Sequence, residues 1–281
     1  MVEIELGNIC NNCCVMCSLI RPSPRDINPS TKAVINYLNN LDNDVDHIYF
    51  TGGEPTIRPD MVEILKHINK RFPKTRITVI TNGRFLAYKG FVDKLKDVNN
   101  FSLITELHGD KELHDMITNV VGSFGQTFNG IKNVLEQGFD VELRIVVSKL
   151  NYKQVLDIAK IYKQNFPNIN RVVMFPIDIT GNAFKNKESV VATYTEIVPY
   201  VERAVEYLDK NNIKVKLYHF PFCVLKSKYW RFVEGVTVPE RRITFAEVCK
   251  GCIYEEKCPR VWKTYAKIVG VEEFKPIKKE L

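Results

Sequence analysis

The sequence predicts an α/β fold, in which an open, partial (β/α)6 barrel is followed by a C-terminal cysteine-rich extension. Six short strand-like runs, several rich in Val and Ile, alternate with stretches of helical periodicity. This alternation is typical of parallel βαβ units with right-handed crossovers. A closed TIM barrel of eight units usually takes about 250 residues, whereas only about 70 of the 281 residues remain after the sixth unit. We therefore expect a partial barrel, with its active site at the carboxyl ends of the strands.

The elements follow one another in regular order along the chain. The predicted strands are Val2–Leu6, His47–Thr51, Arg76–Thr81, Phe101–Leu107, Val141–Val147 and Arg171–Phe175. Helical stretches are predicted from about Ser30 to Leu41, over Met61–Arg71, Phe85–Lys96, Ser123–Gln137 and Tyr152–Asn165, and over Thr193–Asn211, where Thr193 and Glu196 form a capping-box pattern. Ile213–Tyr218 resembles a seventh strand, and the chain is irregular from His219 onward. We place a barrel domain at 1–212 and an extension at 213–281.

Composition excludes several classes of protein. The hydrophobic fraction of 45% is ordinary for a globular chain, and no apolar run approaches the roughly 20 residues that a membrane span needs. A strand begins at the N-terminus without a signal segment, so we expect a soluble, cytoplasmic protein with no membrane partner. Nothing precedes this strand that would bind the leader of a peptide substrate. We therefore expect recognition by the tail, by a separate protein, or without a leader.

The cysteines lie in two tight groups. Of eight Cys, seven fall at 10–17 and 249–258, and the eighth is Cys223. Clustering of this kind in a chain without a signal peptide favours metal binding over disulfides.

The net charge is +7, with an excess of positive charge over residues 213–242, which hold seven Lys or Arg and two Glu. This segment is either an ordinary solvated basic surface or a docking face for an acidic peptide or a nucleic acid. No RNA-binding module signature is present, so a nucleic-acid partner is the weakest of the alternatives.

The first cysteine group follows the first strand directly, as Cys10-x3-Cys14-x2-Cys17. Iron–sulfur clusters are normally held by four Cys. Three thiolates on one loop leave one iron of a 4Fe–4S cluster open to a substrate or cofactor, as catalytic zinc sites keep one position open. Cys10, Cys13 and Cys17 would be an equally possible set on spacing alone.

Two further motifs follow the next two strands. Gly52-Gly53-Glu54-Pro55 ends the second strand, and Thr81-Asn82-Gly83 ends the third. With these motifs at the ends of successive strands, roughly residues 1–220 resemble the radical S-adenosylmethionine (SAM) superfamily. The resemblance implies a partial barrel, selects Cys10, Cys14 and Cys17 as cluster ligands, and makes Cys13 a small buried hydrophobe. It also implies that the amino and carboxylate groups of SAM chelate the open iron.

Residues on or just after five strands are candidates for the SAM site by the same resemblance. Gly52 and Gly53 would let the backbone approach the cofactor, and Glu54 would accept a hydrogen bond from its ammonium group. Asn82 and Gly83 would contribute to the pocket or simply form a turn. The other candidates are Glu106, where relatives often carry Ser; Arg144 and Ser148, which fit a pattern for the SAM carboxylate and ribose; and the loop that begins at Ile177, beside the adenine. His108 either faces the substrate or is structural.

The second cysteine group predicts another metal centre. Cys223, Cys249, Cys252 and Cys258 provide four thiols, enough for a closed zinc site or a fully ligated iron–sulfur cluster. Cys249-x2-Cys252-x5-Cys258 resembles the SPASM/twitch extension of radical SAM enzymes, which implies an auxiliary 4Fe–4S cluster. The aromatic-rich tail around it resembles the peptide maturases of the His-Xaa-Ser system.

The resemblance implies an enzyme with two 4Fe–4S clusters and SAM as cofactors. A reductant such as flavodoxin or ferredoxin would supply the electron that cleaves SAM to a 5′-deoxyadenosyl radical. A closed auxiliary cluster favours net oxidation of the substrate. We expect oxidative modification of a peptide or protein. The alternatives are a small-molecule dehydrogenase or cofactor-biosynthesis enzyme, and a tRNA-modifying enzyme.

Overall fold

Eight strands pair side by side in chain order, and every pairing among them is parallel. The computed structural model describes residues 1–23, 27–169 and 171–279. The strands are β1 (Val2–Glu5), β2 (His47–Thr51), β3 (Arg76–Ile80), β4 (Phe101–Glu106), β5 (Asp140–Val147), β6 (Arg171–Pro176), β7 (Lys214–Tyr218) and β8 (Val233–Gly235). Within the described ranges β1 pairs only with β2 and β8 only with β7, so the sheet is an open, partial barrel.

Helices connect the strands along one face of the sheet. They are α1 (Thr31–Asn39), α2 (Met61–Arg71), α3 (Lys89–Leu95), α4 (Lys111–Thr118), α5 (Ser123–Glu136), α6 (Val155–Asn165), α7 (Gly181–Lys185), α8 (Lys187–Val190) and α9 (Tyr194–Lys210). The Ser30 hydroxyl caps α1, and Thr193 and Glu196 form the predicted capping box of α9. Both caps satisfy backbone N–H groups that a helix start leaves unpaired.

Alternation along β2 places apolar side chains on one face of the sheet and polar ones on the other. Ile48 and Phe50 are fully buried in the core that the helices cover. On the opposite face of the sheet, the imidazole of His47 lies 2.8 Å from the Thr78 hydroxyl, which in turn lies 2.7 Å from the hydroxyl of Ser102. The inner surface of the barrel is therefore polar and hydrogen-bonded across the first part of β2, β3 and β4.

The predicted fold class is confirmed, but three details of the prediction were wrong. The predicted seventh strand, Ile213–Tyr218, is present as β7, but the stretch beyond His219, predicted to be irregular, contains one further strand of the sheet, β8. A 3-10 turn over Arg84–Ala87 separates α3 from β3, so Phe85–Lys96 is not one helix. Helix α4 was not predicted, although Asp110 is an N-cap residue whose carboxylate accepts a hydrogen bond from the Leu113 N–H.

The C-terminal region packs against the barrel. Strands β9 (Ile243–Thr244) and β10 (Val261–Trp262) form an antiparallel pair, and α10 (Lys263–Ile268) follows directly. The Glu273 carboxylate accepts hydrogen bonds from the first backbone N–H groups of α9, at Tyr194 and Thr195, which fastens the tail to the barrel. Strand β7 follows the predicted boundary at 212/213 and pairs with β6 of the barrel. The division into two domains at this position stays a prediction. Residues 280 and 281 of the predicted extension lie outside the described residues.

Among the described helices, none has both the length and the apolar character that crossing a membrane requires.

Candidate active site

The three sequence motifs meet at the carboxyl ends of β1, β2 and β3. We call residues 7–22, which follow β1, the cysteine loop. The backbone N–H of Gly53 donates to the Gly7 carbonyl at 2.8 Å, and the N–H of Glu54 donates to the Ile9 carbonyl at 2.8 Å. The Gly-Gly-Glu-Pro turn therefore continues the parallel pairing of β1 and β2 into the cysteine loop.

Gly52 and Gly53 are required by this close approach between two backbone segments. A Cβ atom at Gly52 would lie 2.4 Å from the Gly7 carbonyl oxygen, and one at Gly53 would lie 2.1 Å from that of Ile9. Gly52 also has a φ of +118°, which side chains rarely allow. The space beside the two glycines is therefore filled by the cysteine loop. Direct contact of these glycines with a cofactor stays a prediction.

Glu54 joins the ends of β2 and β3. Its side chain is buried, and Oε1 accepts hydrogen bonds from the Thr56 N–H and from the hydroxyls of Thr56 and Thr81, at 2.6–2.9 Å. Oε2 accepts one from the backbone N–H of Asn82 at 2.6 Å. Burial raises the pKa of the Glu54 carboxyl, and these donors oppose the rise. Because a carboxylate accepts about four hydrogen bonds, Glu54 holds the two motifs together here, and its contact with an ammonium stays a prediction.

Asn82 and Arg84 bind the cysteine loop from the third motif. The Asn82 amide nitrogen donates to Asn11 Oδ1 at 2.7 Å and lies 3.9 Å from the Cys10 sulfur. The Arg84 guanidinium binds the backbone carbonyl of Asn11 and the side-chain oxygen of Asn12. These contacts place Asn82 beside the first cysteine, as expected for a residue of the pocket.

Cys10, Cys14 and Cys17 are all partly enclosed, and each sulfur receives a hydrogen bond. The Asn12 N–H donates to the Cys10 sulfur and the Leu19 N–H to that of Cys17, both at 3.4 Å, while the Asn12 side chain donates to Cys14. Hydrogen bonds to ligand sulfurs are a regular feature of iron–sulfur sites. Burial raises the pKa of the Cys10 thiol to about 11, and raises those of Cys14 and Cys17 too, so iron must displace protons when it binds.

Cys13 differs from these three in its hydrogen bonding. Its sulfur donates to the Arg21 carbonyl at 3.3 Å and so acts as an ordinary thiol. This contrast favours Cys10, Cys14 and Cys17 over the alternative set containing Cys13, because a ligand sulfur accepts hydrogen bonds rather than donating them.

The donor set fits a cluster better than a single ion. In the described part of the chain, no three His, Cys, Asp or Glu side chains converge on the position of one metal ion. A cubane binds each thiolate through a different iron, which keeps the sulfurs apart. Cys10, Cys14 and Cys17 would hold such a cluster and leave its fourth iron to SAM.

Glu106 ends β4 and lies near the cysteine loop. Its Oε1 atom is 3.6 Å from Nε2 of the buried His108. Burial raises the pKa of Glu106 to about 7, an effect that the charge of Arg144 opposes. Burial also lowers the pKa of His108 to about 4, so this imidazole is neutral at pH 7. Glu106 and His108 thus form an adjacent pair at the strand end, and the SAM contact predicted for Glu106 stays a prediction.

Arg144 and Ser148 already have partners within the barrel. Arg144 Nε donates to Glu142 Oε1 at 2.8 Å, and Glu142 also binds Arg171. The Ser148 hydroxyl lies 3.2 Å from Asn151 Oδ1 and accepts from the Leu150 N–H, within the turn that ends β5. The charge of Arg144, which lies inside a strand, is therefore paired, as the burial of a charge requires. The cofactor contacts predicted for both residues stay predictions.

Sequence reasoning missed two elements that hold the cysteine loop. The last carbonyls of α4, at Ile117 and Thr118, accept hydrogen bonds from the N–H groups of Val15 and Cys13. The second element follows the buried Ile177, the predicted adenine neighbour. There the Asn182 side chain binds the backbone of Cys14 and Arg21. An Asn directly after Gly181, at the start of α7, was the available signal.

The four remaining predicted ligands surround one cavity in the C-terminal region. The cavity measures about 450 Å³, including space open to solvent, and its lining includes Cys223, Cys249, Cys252 and Cys258. We call it the four-cysteine site. The N–H of Ile277 donates to the Cys252 sulfur at 3.4 Å, and backbone groups also hydrogen-bond the other three sulfurs. Burial raises the pKa of the Cys223 thiol to about 11. The donors fit a fully ligated iron–sulfur cluster.

Comparison with known proteins bears on this arrangement. Residues 4–162 match the family model described as the radical SAM superfamily. A probable GTP 3′,8-cyclase of Saccharolobus islandicus is 28% identical over 212 residues, which cover 72% of this chain and 64% of the cyclase. The alignment thus spans less than two thirds of that relative.

Solved structures share the fold at lower sequence identity. Streptococcus suis SuiB bound to S-adenosylmethionine superposes with a TM-score of 0.63 at 18% identity, covering 89% of this chain and 54% of SuiB. SuiB bound to its precursor peptide SuiA gives a TM-score of 0.62 at 19% identity, with coverage of 77% and 48%. With a family match over more than half of its length and motifs that meet at the strand ends, this chain belongs to the radical SAM superfamily of enzymes.

Proposed function

We propose that this enzyme cleaves SAM reductively and oxidises a carbon centre in a peptide or protein substrate. Cys10, Cys14 and Cys17 would hold the SAM-binding 4Fe–4S cluster, and the four-cysteine site would hold an auxiliary cluster. When bound, the reduced first cluster and SAM supply a carbon-centred radical that removes a hydrogen atom from an unreactive carbon. The chain provides the binding groups and encloses the reacting atoms.

One observation carries the oxidative part of the proposal. Four cysteines, rather than three, line the same cavity in the C-terminal region. A cluster held by four thiolates has no vacant iron, so it would accept an electron rather than bind a substrate. Oxidation of a C–H bond removes a hydrogen atom, then one electron and one proton. The four-cysteine site would take up the electron, and Glu106 beside His108 would take up the proton.

The support for a peptide substrate is the tail and the shared fold. The aromatic residues near the four-cysteine site resemble those of His-Xaa-Ser maturases, and SuiB, which has a similar fold, has been crystallised with a precursor peptide. Phe220, Tyr229 and Trp262 of this tail are buried, so they pack the region around the four-cysteine site, and the support for a peptide is the likeness itself.

A small molecule is the second candidate substrate. The similarity to a probable GTP 3′,8-cyclase favours a nucleotide or another biosynthetic intermediate. The four-cysteine site argues against direct substrate chelation by the auxiliary cluster, since that would require an iron without a thiolate.

Ion pairing weakens the case for a nucleic-acid substrate. At least four of the seven basic residues over 213–242 have acidic partners within the chain: Lys216 with Glu234, Lys226 with Glu202, Arg231 with Asp209 and Arg242 with Asp178. Phosphate groups would have to compete with these carboxylates for the same cations.

A substrate competition experiment tests the proposal. The anaerobically reconstituted enzyme would receive SAM, dithionite and either a pool of synthetic peptides, GTP or bulk tRNA. We expect only peptides to raise 5′-deoxyadenosine formation above the uncoupled rate, with loss of hydrogen atoms from the peptide by mass spectrometry. Stimulation by GTP alone would replace the peptide proposal with the small-molecule one. The Cys252→Ala variant is the control, because it should retain cleavage without yielding oxidised product.

A further inference from the structure

One short segment touches both the cysteine loop and the C-terminal region. We call residues 177–186, between β6 and the end of α7, the connector. It begins at the carboxyl end of β6, where the Ile177 N–H donates to the Val147 carbonyl at 2.9 Å. Its two halves make different contacts, which are described in turn.

Asn182 binds the cysteine loop through both ends of its side-chain amide. Oδ1 accepts from the Arg21 N–H at 2.9 Å, while Nδ2 donates to the carbonyls of Arg21 at 2.9 Å and Cys14 at 3.1 Å. The amide is only 5% exposed. A buried amide with three backbone partners fixes the loop strongly, because losing it would leave those groups unsatisfied.

The rest of the second half follows the same loop closely. The N–H groups of Asn182 and Ala183 donate to the carbonyls of Leu19 and Cys17, both at 3.1 Å. A Cβ atom on Gly181 would lie 2.4 Å from the carbonyl of Ser18. The connector and the cysteine loop are therefore packed backbone to backbone.

The first half of the connector binds the C-terminal region through Asp178. Its carboxylate accepts a hydrogen bond from the Thr264 hydroxyl at 3.1 Å and forms an ion pair with Arg242. The acidic partner of this ion pair is mostly buried, because the Asp178 side chain is 11% exposed.

Arg242 and Thr264 flank the wall of the four-cysteine site. Arg242 directly precedes β9 and Thr264 lies at the start of α10, just after β10. Thr244 of β9 and Val261 of β10 line the cavity together with the four cysteines. Contacts therefore run from this wall to Asp178, and the connector backbone joins Asp178 to Asn182 and Ala183, which bind the carbonyls of Cys14 and Cys17.

We propose that the connector couples the two cysteine sites, with Asp178 and Asn182 as positioning residues at its ends. When the four-cysteine site is ordered, Arg242 and Thr264 fix the position of Asp178. The connector then holds the cysteine loop in the geometry that binds the first cluster. The identity of the sites as cluster sites rests on the proposed function, whereas the coupling is a property of the chain. Coupling between two sites is reciprocal, so disturbing either end must loosen the other.

Hydrogen exchange measured by mass spectrometry on the full chain, before and after anaerobic reconstitution, tests this proposal. Asp178→Asn removes the ion pair with little change in shape. We expect exchange to rise about tenfold over residues 242–264 and also over 14–21. Asn182→Ala should raise exchange over 14–21 and, by reciprocity, over 242–264.

Asp60→Asn is the matched control. Asp60 also binds one arginine and one threonine, Arg58 and Thr31, and is 13% exposed, but it lies beside α2. This variant should leave both test segments unchanged. If Asp178→Asn loosens 242–264 while 14–21 exchanges as in the wild type, the coupling is refuted. Failure of the wild type to form 5′-deoxyadenosine would instead refute the proposed function and leave the exchange comparison intact.

Discussion

The Glu54 carboxylate accepts the backbone N–H of Asn82 at 2.6 Å, which ties the second sequence motif to the third. The same side chain binds the hydroxyl of Thr81, while the Asn82 amide reaches the cysteine loop. The ends of β1, β2 and β3 are thus linked by buried and partly buried hydrogen bonds, and Cys10, a proposed cluster ligand, lies at the end of this chain of contacts.

Glu54→Gln should weaken both stability and SAM binding. The Gln amide would bring an NH2 group against one of the present donors, so at least one hydrogen bond is lost in a buried place. We expect destabilisation of about 1–3 kcal/mol and weaker binding of SAM to the reconstituted protein. Urea unfolding and equilibrium dialysis measure the two effects. Glu63→Gln, on the exposed face of α2, should change neither; a normal SAM affinity in Glu54→Gln would show that the motif is not part of the pocket.

Cys14→Ala and Cys13→Ala form a matched pair one residue apart. Cys14→Ala should bind about four fewer irons per chain after reconstitution and lose SAM cleavage. Cys13→Ala should keep both, because its sulfur only donates to the Arg21 carbonyl. Iron analysis and 5′-deoxyadenosine assays of the two variants show which cysteine is a cluster ligand. The opposite pattern would assign the ligand set Cys10, Cys13 and Cys17.

Cys252→Ala tests the role of the four-cysteine site. We expect uncoupled SAM cleavage to continue at a reduced rate, since the first cluster keeps its three ligands while the cysteine loop is loosened through the connector, and oxidised product to be lost. Iron content should fall from about eight to about four per chain if both sites hold cubanes. Oxidised product formed at the wild-type rate would mean that the electron leaves the substrate by another route.

Acid should destabilise the fold through its buried histidines. Burial lowers the pKa of His114 to about 3, against an ordinary value of about 6.5. Between these values the unfolded chain binds a proton that the folded chain does not, so stability is complete above about pH 6.5 and falls as the pH decreases. Between pH 7.5 and 5.5 this residue should remove about 1 kcal/mol of the free energy of unfolding.

His114→Asn isolates that contribution. In the folded protein, Nδ1 of His114 accepts a hydrogen bond from the backbone N–H of His108 at 3.1 Å. The Asn side-chain oxygen can accept the same bond, but the Asn side chain does not titrate. Urea unfolding at the two pH values should show a smaller loss of stability in the variant than in the wild type. An equal loss in both proteins would show that folding does not lower the pKa of His114.

Short-range patterns made much of this architecture predictable. Several of the strands β1 to β6 stand out as Val- and Ile-rich runs, and the capping box at Thr193 is a local signal that the structure confirms. Helix α4 was overlooked because its eight residues give only two helical turns, in which periodicity is hard to recognise. Strand β8 has three residues, and it forms only because β7 offers it an edge for pairing.

Long-range contacts explain what the sequence could not reveal about the site. Asn182 lies 168 residues beyond Cys14 and binds its carbonyl, yet neither residue carries a local sign of the other. Gly52 and Gly53 pack against the cysteine loop, a contact that the motif itself does not indicate, and their approach to a cofactor stays a prediction. The spacing of the cysteines was enough to predict the kind of metal centre. The residues that bind the cysteine loop from across the barrel could be identified only from the fold.

Anaerobic reconstitution with iron and sulfide, followed by SAM and dithionite, tests the central claim most directly. The account predicts 5′-deoxyadenosine and methionine in equal amounts from the wild type, and neither from Cys14→Ala. A fully loaded wild-type protein that leaves SAM intact, or a Cys14→Ala variant that still cleaves it, would contradict the assignment of Cys10, Cys14 and Cys17 as the ligands of an open-iron cluster.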